Sequence, residues 1–340
     1  LPDGQTVADK KTFRIKDIPA PQGKIRGEDT AKGQKNSLEI SSVTAFSGDA
    51  RIILADNAST DDSVDFVRAH YPTVEIIVNA ANGGFAKGYN DALKHVDSKY
   101  YLLLNSDIEV TENWLSPLLE LMEDTGVAGC QPKVLSYHNK HHFEHAGASG
   151  GYLDVDYFPF CRGRIFDSIE ADEHQYDSTT EVFWATGAAL LIRSEVYHRL
   201  GGFDESFFAH MEEIDLCWRA KKLGYSFHVQ PKSIVYHVGG GTLSYMSPRK
   251  TYLNFRNSLW MMLKNLPKGQ LFTTIFIRLS LDGIAGIRFL TQGKFKALWA
   301  HVNGNFLLVL IAGIGVSVLS LSRLVLWLLE NQPILLWSFF

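Results

Sequence analysis

Tyr100–Val110, YYLLLNSDIEV, is the stretch whose reading decides the fold. The apolar run Tyr100 to Leu104 stops abruptly at Asn105-Ser106-Asp107. A short run of this kind predicts a strand buried on both faces, as in a parallel sheet. In open α/β sheets, ligands sit outside the carboxyl ends of such strands. A carboxylate there has two uses. Asp107 either caps the following turn or takes a cation, the simplest being a divalent metal that also grips a phosphate.

The flanking chain extends the pattern. RIILADNAST (51–60) reads as an apolar strand ending in Asp56-Asn57, with Ser59 as N-cap of a helix that opens on Thr60, Asp61 and Asp62. Val74–Val78 is a second strand, and NAANGGFAKGYNDAL (79–93) follows it. Gly83 and Gly84 permit close backbone approach to a ligand, and Phe85, Ala92, Leu93 and Val96 form the buried stripe of the next helix. Strand, helix, strand, helix, strand at this spacing predicts a parallel, right-handed α/β sheet. Downstream, Trp114–Met122 is an amphipathic helix and Val127–Leu135 a strand. Ser136–Thr180 then reads as a long loop rich in Gly, His, Asp and aromatics, of a length that points to function. VFWATGAALLIR (182–193) restores a buried strand, and Ser194 caps a short helix ended by Gly201-Gly202. Glu212–Leu223 is a helix with acids in its first turn and Lys221-Lys222 in its last, stopped by Gly224. Two strands (226–230 and 233–238) and the helix Tyr252–Leu266 close the pattern.

Composition sets bounds. The 340 residues are 46% hydrophobic and 21% charged, which suits one large or two ordinary domains. A net charge of -4 argues against a nucleic-acid binder. Cys130, Cys161 and Cys217 fit neither a disulfide framework nor a zinc site, which points to reduced thiols in a cytosolic compartment. The first fifty residues lack the apolar core of a secretory signal. From Phe306 to Leu329 only Arg323 is charged, a run long enough to span a bilayer or dip into it.

DNAS (56–59), NGGFAKGYN (82–90), LLLNSDIEV (102–110), WATGAALLIR (184–193), FFAHMEEIDLCWRAKKLGY (207–225) and HVGGGT (237–242) occur in an order that resembles the inverting family-2 glycosyltransferases, closest to the bacterial rhamnosyltransferase-like branch. The resemblance covers roughly residues 47 to 300. It implies a GT-A fold, α/β and mostly parallel, and a nucleotide-diphosphate sugar donor with a divalent cation, Mg²⁺ or Mn²⁺; the apolar, basic-edged faces of Leu271–Ala300 add C-terminal membrane-associated helices. By the same resemblance Asp56 and Asn57 hold the base or ribose, and Asn82, Gly84, Phe85, Gly88 and Asn90 line the nucleotide loop. Asn105, Ser106 and Asp107 occupy the DxD-like position, with Asp107 and His237 reaching the metal or diphosphate. Arg256 lies near the leaving group. Trp184, Thr186, Gly187 and Asp215 take the acceptor side, with plain core the alternative for Trp184. The family's usual Glu-Asp is Glu212-Glu213 here, so Glu213 is the expected base, with Glu212 second and Asp215 pairing Arg219 at i+4.

The expected division is a polar N-terminal segment (1–46), the enzyme domain (47–265), an amphipathic helical region edged with basic charge (266–305) and a hydrophobic tail (306–340). The expected acceptor is a glycan or lipid-linked hydroxyl, at the cytoplasmic face of the bacterial inner membrane. Two features depart from the family. Its first apolar strand has no counterpart before Arg51 except Leu38–Val43, and Leu1–Glu28 instead resembles part of a gliding-motility secretion-shaft protein, as a fusion or misjoined frame would. The second is the tail, where the run after Phe306 reads as a membrane-spanning helix, a buried core helix or an out-of-frame extension. A catalytically inactive remnant serving as a binding module is therefore the competing reading, and a nucleotidyltransferase on a similar sheet a third. His138, His141, His142 and His145 match no common zinc spacing and read as a solvated, partly stacking run.

Overall fold

In the computed structural model, residues 50–144, 147–165, 168–238, 248–291 and 323 are described. The chain divides into two units, Leu1–Ser244 and Tyr245–Phe340. The expectations placed on the N-terminal segment, on Leu38–Val43, on His145 and on the apolar run after Phe306 (residue 323 aside) lie outside the described residues.

The first unit opens with Ile53–Asp56 (β1), Ser63–His70 (α1) and Glu75–Val78 (β2). The two strands pair in parallel, Asp56 opposite Val78, as a helical crossover requires. Asp62, not Ser59, stands at the helix N-cap, because Ser59 donates its backbone N–H to the Asp56 carboxylate in a tight turn (3.1 Å). Gly84–Leu93 (α2) buries Ala86, Ala92 and Leu93, and leads to Tyr100–Leu104 (β3) and Ile108–Val110 (β4). Leu115–Leu121 (α3) precedes Val127–Ser136 (β5), of whose ten residues all but Ser136 are buried. The predicted long loop is partly ordered into the short strands Gly151–Leu153 (β6), Pro159–Cys161 (β7), Arg164–Ile165 (β8), Ser168–Ile169 (β9) and Thr180–Val182 (β10). Ala189–Arg193 (β11), Ser194–Arg199 (α4), Glu212–Lys222 (α5) and Ser226–His237 (β12) complete the unit. The two strands expected at 226–238 are one, with a register shift between Gln230 and Ile234.

The main sheet is mixed, in the order β10-β12-β5-β11-β3, with β4 also on β12. This corrects the parallel expectation. β5 and β12 run parallel, but β3 pairs antiparallel with β11. Tyr101 and Leu103 are buried, while Tyr100, Leu102 and Leu104 are half-buried against a core of Trp114, Leu118, Met122, Val127 and Leu191. Each such large side chain, fully buried, contributes about 1.5–3 kcal/mol. Among the described residues, β1 hydrogen-bonds only β2, and β3 only β11.

The second unit holds Pro248–Asn265 (α6) and Lys268–Thr291 (α7), joined where Arg278, ion-paired within α7 to the buried Asp282, donates its guanidinium to Ser258 Oγ of α6 at 2.9 Å. Among the described residues, no helix is long and apolar enough to cross a membrane.

Candidate active site

The first half of the site is made by two segments 130 residues apart in sequence. β4 and β12 pair antiparallel with Ile108 opposite His237, and the Val238 N–H donates to the Asp107 carbonyl (3.0 Å). That ladder brings His237 Nε2 to 3.2 Å from Asp107 Oδ1. The other ring nitrogen, Nδ1, lies 3.4 Å from Glu144 Oε1, at ion-pair distance but off-line for a formed hydrogen bond. Glu144 is only 4% exposed. Its backbone is fixed because residues 142–144 fold back on β5, the Glu144 N–H donating to Val134 O (3.1 Å) and the Ser136 N–H to His142 O (2.9 Å). Burial pushes the His237 pKa down, but Asp107 and Glu144 outweigh it and raise it to about 9. Tyr89 donates its hydroxyl to Leu104 O at 3.3 Å. Burial raises that phenol far above its usual range, and the charge of Asp107 adds to the shift.

The second half is the start of α5. Phe208, His210 and Met211 all have positive φ (64°, 72° and 75°), and Met211 is the helix N-cap. Each such non-glycine residue costs on the order of 1–3 kcal/mol and persists where the surroundings hold it. The hold is visible: Phe208 O accepts from the Ala86 N–H (3.3 Å), and a Cβ on Gly84 would stand 2.4 Å from that carbonyl. Gly84 is thus required for packing as well as for its φ of 82°. The strained turn presents Glu212 and Glu213. Glu212 is buried and Glu213 half-buried, and Oε2 of each lacks a protein partner. Burial raises both carboxyls, Glu213 to about 7 and Glu212 well above the carboxylate range with the charge of Glu213 adding. A Cβ placed on Gly187 would be 3.2 Å from Phe85 Cζ and 3.6 Å from Glu213 Cβ, so these three are neighbours. Burial raises the Cys161 thiol to about 11, and Glu144 and Glu213 push in the same direction. That thiol therefore sits in the field of both halves.

The asparagines of the glycine loop hold the loop together. Asn57 Nδ2 donates to Gly84 O (2.9 Å) and Asn82 Oδ1 (3.1 Å), and Asn82 Oδ1 also accepts the Gly84 N–H (3.0 Å). A Cβ on Gly88 would meet Asn57 Nδ2 at 3.0 Å. Asn105 donates its N–H to Ala188 O (2.9 Å), and Ser106 is exposed.

Three of the expected side chains bond within the protein. Asn90 Oδ1 accepts from Tyr197 Oη (2.6 Å) and the Phe203 N–H, and its Nδ2 donates to Phe203 O. Trp184 is core, 5% exposed, with Nε1 donating to Tyr152 O (2.9 Å) and its ring filling the place of any Cβ on Gly151. Asp215 is fully buried, with its carboxylate on Arg219 Nε (2.7 Å) as the i+4 spacing suggested. Thr186 is 4% exposed, and its N–H donates to Gln131 Oε1 (2.8 Å). Arg256 lies in α6 of the second unit, where Nε donates to Asn257 Oδ1 (2.7 Å). Tyr89 and Glu144 were missed. Tyr89 stands inside the quoted glycine loop and Glu144 in FEHAGA, but only the folded register brings either to Asp107 or His237.

The fold is α/β and GT-A-like, with carboxyls at strand ends and the Glu212-Glu213 pair at a helix start. Residues 40–178 match the family model described as glycosyl transferase family 2. Over that stretch the chain is similar to family-2 glycosyltransferases. A low-salt glycan biosynthesis hexosyltransferase of Haloferax volcanii is 23% identical over 274 residues, spanning 76% of this chain and 82% of that protein. An N-acetylglucosaminyl-diphospho-decaprenol L-rhamnosyltransferase of Mycobacterium tuberculosis is 24% identical, spanning 56% and 67%. A solved mannosyltransferase of Pyrobaculum calidifontis, in complex with GDP-Man and Mn²⁺, is similar at TM-score 0.44 and 13% identity, covering 85% of this chain and 73% of that one. Residues 271–340 match a second model, described as undecaprenyl phosphate translocase-like.

Proposed function

We propose that the chain moves a sugar from a nucleotide-diphosphate sugar to a hydroxyl of a glycan or lipid-linked acceptor, with inversion at the anomeric carbon. The observation that carries the reading is Glu213: a half-buried carboxyl, one oxygen without a protein partner, beside Gly187 and Phe85. Its pKa of about 7 suits a general base near neutral pH. Glu213 takes the acceptor proton as the acceptor oxygen bonds the anomeric carbon. The bond from that carbon to the diphosphate oxygen breaks, and its electrons leave with the diphosphate.

Among the described residues, no group of three or more His, Cys, Asp or Glu is gathered as a metal cage. The pair Asp107 and His237 nevertheless fits a divalent cation, because ions of the Mg²⁺ type use one or two protein ligands and complete their shell with phosphate oxygens and water. Bound there, the cation would offset charge gathering on the departing diphosphate. Asp56, Asn57 and the glycine loop would hold the nucleoside. The exposed apolar side chains Phe272, Phe276, Ile277, Leu281 and Ile284 of α7 support attachment to a membrane surface, at the cytoplasmic face.

Calorimetric titration with UDP, GDP and dTDP, each with and without Mn²⁺, tests this. The expected result is metal-dependent binding of one nucleotide, abolished by Asp107→Ala. Glu213→Gln should keep that binding and lose roughly 10²–10⁴ in transfer rate. Failure of all three nucleotides to bind would select the competing reading, an inactive binding module.

A further inference from the structure

We infer that Glu144 is the positioning residue for His237, holding its ring by the Nδ1 side so that Nε2 points at the place where Asp107 and the donor diphosphate meet. The inference rests on the donor-site reading above. Metal-binding histidines commonly give their second ring nitrogen to a carboxylate, which fixes the ring and raises its basicity as a ligand. Here a carboxylate stands on each side of the ring in the protein alone: Asp107 Oδ1 at 3.2 Å from Nε2 and Glu144 Oε1 at 3.4 Å from Nδ1, at ion-pair distance and short of a formed hydrogen bond. Glu144 is nearly closed to solvent, and its backbone is pinned to β5, which lies beside β12 with Ser136 opposite His237. The carboxylate therefore approaches from a fixed strand, and the ring it faces is itself at a strand end. Rotation of His237 about its side-chain bonds would separate both carboxylates from it at once.

The test uses the full chain with Mn²⁺ and whichever of UDP, GDP or dTDP binds, counting free Mn²⁺ by its electron paramagnetic resonance signal. Glu144→Ala should weaken Mn²⁺ binding about 10–100-fold, while Glu144→Gln, which keeps an acceptor for Nδ1–H, stays near wild type. Glu144→Leu serves in place of alanine if the cavity unfolds the protein. In a His237→Ala background, Glu144→Ala should add nothing further, since it acts through the ring. Wild-type Mn²⁺ affinity in Glu144→Ala overturns the inference, and so does a Glu144→Ala loss that persists undiminished without His237. If Asp107→Ala leaves Mn²⁺ binding intact, the donor-site reading itself has failed and takes this inference with it.

Discussion

At the scale of single residues, Glu213 connects stability to pH. Its folded pKa is raised from the ordinary 4.5 to about 7 by burial. The folded state thus binds that proton more tightly than the unfolded chain. The stabilisation is complete below about 4.5 and is lost as pH rises through about 7. Glu213→Gln removes this dependence. Its stability relative to wild type should rise between pH 5 and 8 by on the order of 1–3 kcal/mol, the lower end reflecting partial exposure. Chemical denaturation at the two pH values checks it. Transfer activity in the wild type should climb across the same interval and level off above about 7, because the base must be ionised. The same scale explains what sequence could not say about Asn90. An amide in a glycine-rich loop looks identical whether it meets a ribose or its own backbone, and only the positions of Tyr197 and Phe203 decide.

At the scale of elements, strand existence was legible and strand direction was not. The apolar run Tyr100–Leu104 marks β3 by composition, yet apolarity says nothing about which way the neighbour runs, and β11 runs antiparallel. The helix at Glu212 was equally legible from its acids, its lysines and Gly224, whereas the left-handed residues before it carry no glycine to announce them. The segment read as loop is held by a buried lysine that periodicity does not reveal. Lys133 Nζ, on the central strand β5, meets both oxygens of Asp172 (3.0 and 2.9 Å) and also Asp177. Lys133→Met should destabilise the protein by roughly 3–5 kcal/mol, because Asp172 is left buried without its cation. Adding Asp172→Asn and Asp177→Asn should recover much of it. Limited proteolysis within residues 170–178 would report the same loosening directly.

For the whole molecule, the order of motifs was enough to point to the family-2 likeness and the α/β class, since each motif ends a strand or starts a helix that the fold uses. It was not enough for Glu144, whose proximity to His237 depends on how residues 142–144 return along β5. The second unit yields a prediction of its own. α7 exposes Phe272 (83%) and Ile284 (64%), so Phe272→Asp with Ile284→Asp should weaken co-sedimentation with anionic phospholipid vesicles severalfold, with nucleotide binding unchanged.

The ladder between β4 and β12 sets when Asp107 meets His237. Asp107 emerges early in synthesis, but its partner His237 follows 130 residues later, on the strand that also joins β4, β5 and β10. On the donor-site reading proposed above, a nascent chain released before that strand is made would carry the nucleotide-loop motifs without the Asp107–His237 pair, and full donor binding would wait for completed synthesis of the first unit.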